Sequence, residues 1–225
     1  MSDLVNNENN DNSVKIKKMV FVALFAALIA VGAWIRIPLP FVPITLQTFF
    51  VLLAAVTLGR NWGPVCIIVY LLVGLIGYPV FAGGSSGLGV ILGPTGGYLY
   101  SFVIVAFIVG FLSEKANKNP PIFLLKPAAF ILKPMASLLL KDENNLDDIN
   151  TYFLKPVVFL LIALLGSLLI LSIGTVHLSF FANISLTTAF KAGFVPFVLG
   201  DIVKSIGVAL VASIVYKKIN FKNIS

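Results

Sequence analysis

The chain has 225 residues, of which 59% are hydrophobic and only 11% charged, with a formal net charge of +7. A water-soluble domain carries about 25% charged residues, so the composition excludes an ordinary soluble fold and points to a chain largely dissolved in lipid. The one cysteine, Cys66, lies in an apolar run, where it excludes an internal disulfide and reads as a small packing residue.

Met1 to Ser13 is polar and rich in Asn, without the apolar core of a signal peptide, and is expected to be disordered within a cytoplasmic tail of residues 1–18. Lys15, Lys17 and Lys18 then precede the first apolar run and favour an N-terminus that stays inside. The first span is expected from Met19 to about Ile37, enough helix to cross a hydrocarbon layer of roughly 30 Å. Trp34 and Arg36 fall near its outer end, where an indole sits among headgroups and a guanidinium snorkels. Ala23, Ala26, Ala27, Ala30 and Ala33 form a small-residue stripe on which another helix can approach closely, in this chain or on a partner. Taken alone, the stripe favours packing within the protein.

The prolines of Pro38 to Pro43 predict a kinked connection. A second span follows from about Ile44 to Leu58, with Thr45, Gln47 and Thr48 near its outer end. Gln47 either faces a cavity or makes an interhelical hydrogen bond. Arg60 and Asn61 form an inner turn, and a third span runs from Trp62 to Tyr78. Pro79 to Gly97 carries no charge and has glycine at Gly83, Gly84, Gly87, Gly89, Gly93, Gly96 and Gly97. It is too glycine-rich for a stable helix, yet apolar enough to fold back on the bundle as a lid whose backbone approaches a ligand. No Gly-Lys dipeptide occurs, which excludes a phosphate-binding loop of the G-x-x-x-x-G-K-[ST] kind.

A fourth span is expected from Tyr98 to about Leu112, followed by a cytoplasmic or interfacial insert at about 114–155. The insert repeats the strings FLLKP, FILKP and YFLKP. Its apolar centre, Ile122 to Leu140, contains Lys126, Lys133, Pro127 and Pro134, which argue for a surface-lying or re-entrant segment rather than a further span. The fifth span is Pro156 to about Val176. A short outer connection holds His177 and Asn183, and the lone histidine reads as a solvated loop residue without companions for a metal site. The last span runs from about Ala192 to Tyr216, and residues 217–225 close the chain as a cytoplasmic tail.

That last span contains Asp201 and Lys204. Ionised groups at membrane depth are costly and face a bundle interior or a cavity, and a spacing of three places both on one helix face. The face either contacts a small ligand carrying both N–H donors and a carboxylate, or is a buried pair that holds two helices in register. An aspartyl mechanism needs a second carboxylate and a Ser-His mechanism a base within reach, and neither constellation is evident. No catalytic residue is expected.

The chain is therefore expected to be an all-α membrane protein: a bundle of six transmembrane helices over residues 19–216, with both termini cytoplasmic and a glycine-rich outer loop between helices 3 and 4. In that topology Lys15, Lys17, Lys18, Arg60, the lysines from Lys115 to Lys155, Lys217, Lys218 and Lys222 lie inside, leaving Arg36 and Lys191 outside. The positive charge is then explained by membrane orientation and anionic lipid, with no case for nucleic acid.

Three stretches carry a resemblance: VPITLQTFFVLLAA (Val42 to Ala55), YLLVGLIGYPVFAGGSSGLGVILGPTGGYL (Tyr70 to Leu99) and GFVPFVLGDIVK (Gly193 to Lys204). Together they resemble BioY, the family of biotin-specific substrate-binding (S) components of energy-coupling-factor (ECF) transporters. The resemblance implies a six-helix bundle that captures biotin from outside, with transport powered by a transmembrane coupling protein and two ABC-type ATPases. It implies ligand contacts at Asp201 and Lys204, and docking of the coupling protein on Ala23/Ala27 and Ala26/Ala30, reversing the preference for internal packing. Biotin's ureido ring offers two N–H donors and a carbonyl, and its tail ends in a carboxylate. Asp201 can accept from an N–H, and Lys204 can meet the carboxylate or the ureido oxygen. Further contacts are expected from Gln47 and from Gly84, Ser85 and Thr95 of the glycine loop, with Tyr98, Phe194 and Phe197 as apolar walls. No cofactor or metal is expected besides biotin as transported ligand. Residues 117–151 depart from the family, where this connection is short. An S component for another small vitamin, a solitary biotin carrier and an intramembrane enzyme are the alternatives.

Overall fold

Backbone N–H and C=O groups find no partners in hydrocarbon, so apolar runs of this length satisfy them internally as helices. A computed structural model describes residues 2–118 and 155–218. Most of the expected insert, including Ile122 to Leu140, and the end of the C-terminal tail lie outside the described residues. In order, the elements are α1 (Ser2–Trp34), β1 (Arg36–Ile37), β2 (Ile44–Thr45), α2 (Gln47–Leu75), α3 (Leu88–Ile91), α4 (Gly96–Lys118), α5 (Lys155–Phe181), α6 (Leu186–Gly193) and α7 (Val195–Lys218). Among the described residues five helices are long and apolar enough to cross a membrane, falling in α1, α2, α4, α5 and α7.

Several boundaries differ from those expected. α1 begins at Ser2, so the polar opening is helical rather than disordered; extending an existing helix needs no new nucleus. At its other end α1 stops at Trp34, and Arg36 and Ile37 pair antiparallel with Thr45 and Ile44. The proline-rich connection is thus the tip of a two-stranded ribbon, where missing N–H groups cost no ladder bond.

α2 is a helical hairpin. Gly59 breaks it with φ 77° and ψ −172°, a backbone that only glycine adopts readily. Gln47 Nε2 donates to the Tyr70 hydroxyl across a separation of 23 residues, which would be roughly 35 Å along a straight helix. Gly63 likewise packs on Ala55, whose Cα would lie 3.2 Å from an added Cβ. Glu114 of α4 fastens the turn, accepting from the Arg60 backbone N–H at 3.0 Å and standing 3.6 Å from the Arg60 guanidinium.

The segment between α2 and α4 does fold back on the helices. Gly83 N–H donates to the Ala33 carbonyl (3.2 Å) and Gly87 N–H to that of Gly74 (2.8 Å), and Trp34 Nε1 donates to the Pro79 carbonyl (3.0 Å). Within it Leu88–Ile91 forms one helical turn where an irregular loop was expected.

α5 extends to Phe181, which corrects the placement of His177. The imidazole is in the helix, ring centroid 6.2 Å from Phe181 and 6.0 Å from Tyr100, with Nδ1 buried and unpartnered. Lys191 belongs to α6, a short helix capped by Ser185, whose hydroxyl accepts from Thr188 N–H at 3.2 Å. α7 starts at Val195, with Pro196 in its first turn, where a missing N–H is tolerated. The buried core joins Ile29 of α1, Leu52 and Ile67 of the α2 hairpin, Phe81, and Phe159 and Ile170 of α5.

Candidate functional site

α2 begins with Gln47 and Thr48, two polar residues in an otherwise apolar run, and α7 carries Asp201 and Lys204 one turn apart. The packing of α7 against α2 brings these together in the interior. Lys204 Nζ lies 2.8 Å from Asp201 Oδ1 and donates to Thr48 Oγ1 at 2.9 Å. Thr48 Oγ1 in turn lies 3.5 Å from Asp201 Oδ1. The side chains of Lys204 and Asp201 are only 10% and 4% exposed.

The pair is satisfied on one side only. Asp201 Oδ2 is buried with no hydrogen-bond partner. An unpaired buried acceptor costs about 1–3 kcal/mol, more when charged, and a carboxylate can only accept. The free oxygen is matched to an N–H or O–H donor.

Asp201 and Lys204 line a cavity of about 320 Å³, within the range of small-molecule sites. Of the other expected contacts, Gln47, Ser85, Thr95, Tyr98 and Phe197 also line it. Gly84 does not: it faces the Trp34 indole, which a Cβ at this position would approach to 3.2 Å. Phe194 is likewise absent from the lining, its ring stacked on Phe190 at 4.6 Å.

The walls are held by their own hydrogen bonds. Gln47 Nε2 donates to the Tyr70 hydroxyl, which donates to the Val80 carbonyl at 3.0 Å. That contact uses the amide nitrogen and leaves the Gln47 carbonyl oxygen as a further acceptor. Tyr98 donates to the Gly193 carbonyl at 2.7 Å, and its ring stacks on Phe197 at 6.2 Å. Ser85 Oγ donates to the Ala82 carbonyl at 3.0 Å, closing the glycine-rich turn. Polar groups thus gather at the α2–α7 side, with aromatic surface beside them.

Sequence reasoning missed three contributions. Thr48 had a signal, a hydroxyl beside Gln47 at membrane depth. Ile170 and Leu171 show that α5 lines the cavity, which uniform apolarity conceals. Arg36 also lines it while remaining exposed, placed at its rim by a ribbon that the prolines did not announce. Among the described residues no three His, Cys, Asp or Glu side chains gather as a metal site requires.

The alanine stripe divides between two environments. Ala26 and Ala30 pack against the core, whereas Ala23 and Ala27 are exposed on the outer face of α1. Internal packing thus describes one pair, and a surface open to a partner describes the other.

The chain matches a family model described as the BioY family over residues 6–221. It is 34% identical over 197 residues to a biotin transporter BioY of Thermotoga maritima, covering 88% of this chain and 94% of that one. It is 33% identical over 217 residues to a biotin transporter BioY2 of Lactococcus lactis subsp. cremoris, covering 94% and 99%. Among solved structures it resembles an S-component for biotin from an ECF-type ABC transporter, with TM-score 0.67, 27% identity and coverage of 92% and 94%. With a family match over nearly its whole length and several apolar helices of spanning length, this chain is a multi-pass membrane protein that belongs to the BioY family.

Proposed function

We propose that this protein is the membrane-embedded subunit that captures biotin from outside the cell, without catalysis of its own, for uptake powered by an ECF coupling protein and two ABC-type ATPases. The observation that carries the reading is Asp201, which lines a cavity of small-molecule size and keeps one buried oxygen, Oδ2, without a partner. A ureido N–H of biotin supplies the donor that this oxygen lacks, and Tyr98 and Phe197 provide apolar surface for the thiophane and tail. Gln47, Thr48, Ser85 and Thr95 complete the polar surroundings. The relatives named as biotin transporters support the same substrate.

The two arms of the α2 hairpin count as separate crossings in this reading, which with α1, α4, α5 and α7 makes six. An inside N-terminus then puts the glycine-rich segment outside and the C-terminus inside, in keeping with the lysine distribution. Residues 1–18 and 217–225 are the cytoplasmic tails. The exposed Ala23 and Ala27, backed by Ala26 and Ala30, form the docking face for the coupling protein.

Displacement of labelled biotin from the detergent-solubilised protein by a panel of vitamins tests the substrate. Biotin alone should compete at low concentration; displacement by another vitamin at lower concentration would assign the site to that compound. Reconstitution with and without the coupling protein and ATPases tests the partnership. Uptake that proceeds without them would make the protein a solitary carrier.

A further inference from the structure

The cavity lining carries two basic side chains and one acidic one. Its ionisable lining includes Asp201 and Lys204, which neutralise each other at 2.8 Å, and Arg36. Among the described residues no hydrogen bond or ion pair engages the Arg36 guanidinium, and the salt bridges found there join other side chains.

The side chain is exposed at the cavity rim and rests against the glycine-rich segment. Arg36 lies opposite Thr45 in the ribbon, and both line the cavity. Its guanidinium lies against the backbone of Gly83, where φ is 72° and where any Cβ would collide with it. Gly83 is itself tied to the end of α1 by the 3.2 Å hydrogen bond to Ala33. An arginine serving only to anchor the chain among headgroups would extend away from the protein. This one is turned onto the glycine-rich segment at the cavity rim, remote in sequence from the Asp201/Lys204 helix.

We infer that Arg36 is the specificity-determining residue for the anionic end of the ligand, binding its carboxylate through the guanidinium fork. The inference rests on the biotin reading and orients the ligand within it. The ureido ring lies at Asp201, Lys204 and Thr48, where one acceptor is free and one ammonium is already paired. The carboxylate lies at Arg36, where a cation has no counter-ion. A planar guanidinium matches a carboxylate with two parallel N–H···O bonds, a geometry that an ammonium cannot reproduce. A monoanionic ligand then leaves the filled cavity neutral.

The test compares biotin with its neutral amide, biotinamide, as ligands of the full chain in detergent, by calorimetry. The wild type should bind biotin at least tenfold more tightly than the amide. Arg36→Ala should lose that preference by weakening biotin binding while leaving amide affinity unchanged, which also shows that the variant is folded. Arg36→Lys should keep part of the preference; it carries the test alone if Arg36→Ala does not fold. Equal loss for both ligands, no loss for either, or a wild type indifferent to the amide substitution would overturn the assignment, leaving Arg36 a structural or lipid-facing residue. A wild type that binds neither ligand overturns the biotin reading itself, and the orientation with it.

Discussion

Thr48 Oγ1 accepts a hydrogen bond from Lys204 Nζ at 2.9 Å, joining the first turn of α2 to the charged face of α7. The ammonium is thereby fixed between a hydroxyl and a carboxylate, and Asp201 is held with one oxygen occupied and one free. Thr48→Val keeps the side-chain shape and removes the acceptor. Hydrogen bonds to charged groups contribute about 1.5–3 kcal/mol, so biotin affinity should fall by roughly one order of magnitude or more. A titration of the variant against wild type reads this directly.

Gly59 and Glu114 fasten the hairpin at the end where α2 turns back. A Cβ at Gly59 would both strain a left-handed backbone and strike the Glu114 carboxylate. Gly59→Ala should therefore lower the thermal midpoint in detergent, at a cost of at least about 1–2 kcal/mol. Glu114→Gln keeps an acceptor for the Arg60 N–H and loses only a half-exposed ion pair. Its effect should stay below about 1 kcal/mol.

Gly174 of α5 faces the Tyr98 ring so closely that an added methyl would overlap it. Gly174→Ala should push Tyr98 off its stack with Phe197 and reduce biotin affinity several-fold, although residue 174 itself is not among the cavity-lining residues. Tyr98→Phe removes only the hydroxyl bond to Gly193. It should lower stability by about 1–3 kcal/mol through the unsatisfied carbonyl, with biotin affinity nearly unchanged. Thermal melts and titrations of the two variants separate the ring's role from that of its hydroxyl.

In the proposed reading the exposed alanines of α1 bear on partnership rather than on ligand capture. Ala27→Leu adds bulk to a face that the described residues leave uncovered. Biotin binding by the isolated protein should be unchanged, while association with the coupling protein and uptake should fall sharply. Ala26→Leu should destabilise the isolated protein as well, because Ala26 packs against the core. Pull-down, uptake and melting measurements distinguish the two.

Much of this was legible in the residues, for identifiable reasons. Hydrocarbon makes Asp201 and Lys204 conspicuous at membrane depth, so a single helix face pointed to the cavity. A turn between two apolar runs was legible from the polar Arg60 and Asn61, although the break itself falls at Gly59 and both polar residues are helical. What escaped notice depended on partners distant in sequence. His177 looks like a loop residue until Tyr100 and Phe181 are seen against its ring. Gly84 is expected among the ligand contacts, yet it lies outside the cavity lining with Trp34 beside it. Arg36 reads as a headgroup anchor, and its place in the cavity lining shows only once the ribbon sets it opposite Thr45.

The central claim is tested most directly by titrating biotin into the solubilised wild type, Asp201→Asn and Lys204→Ala, with folding checked by thermal melting. Truncating one member of a buried charged contact costs about 2–5 kcal/mol, so wild type should bind tightly and both folded variants should lose well over tenfold in affinity. Wild-type protein that shows no saturable biotin binding, or variants that bind as well as wild type, would contradict the account.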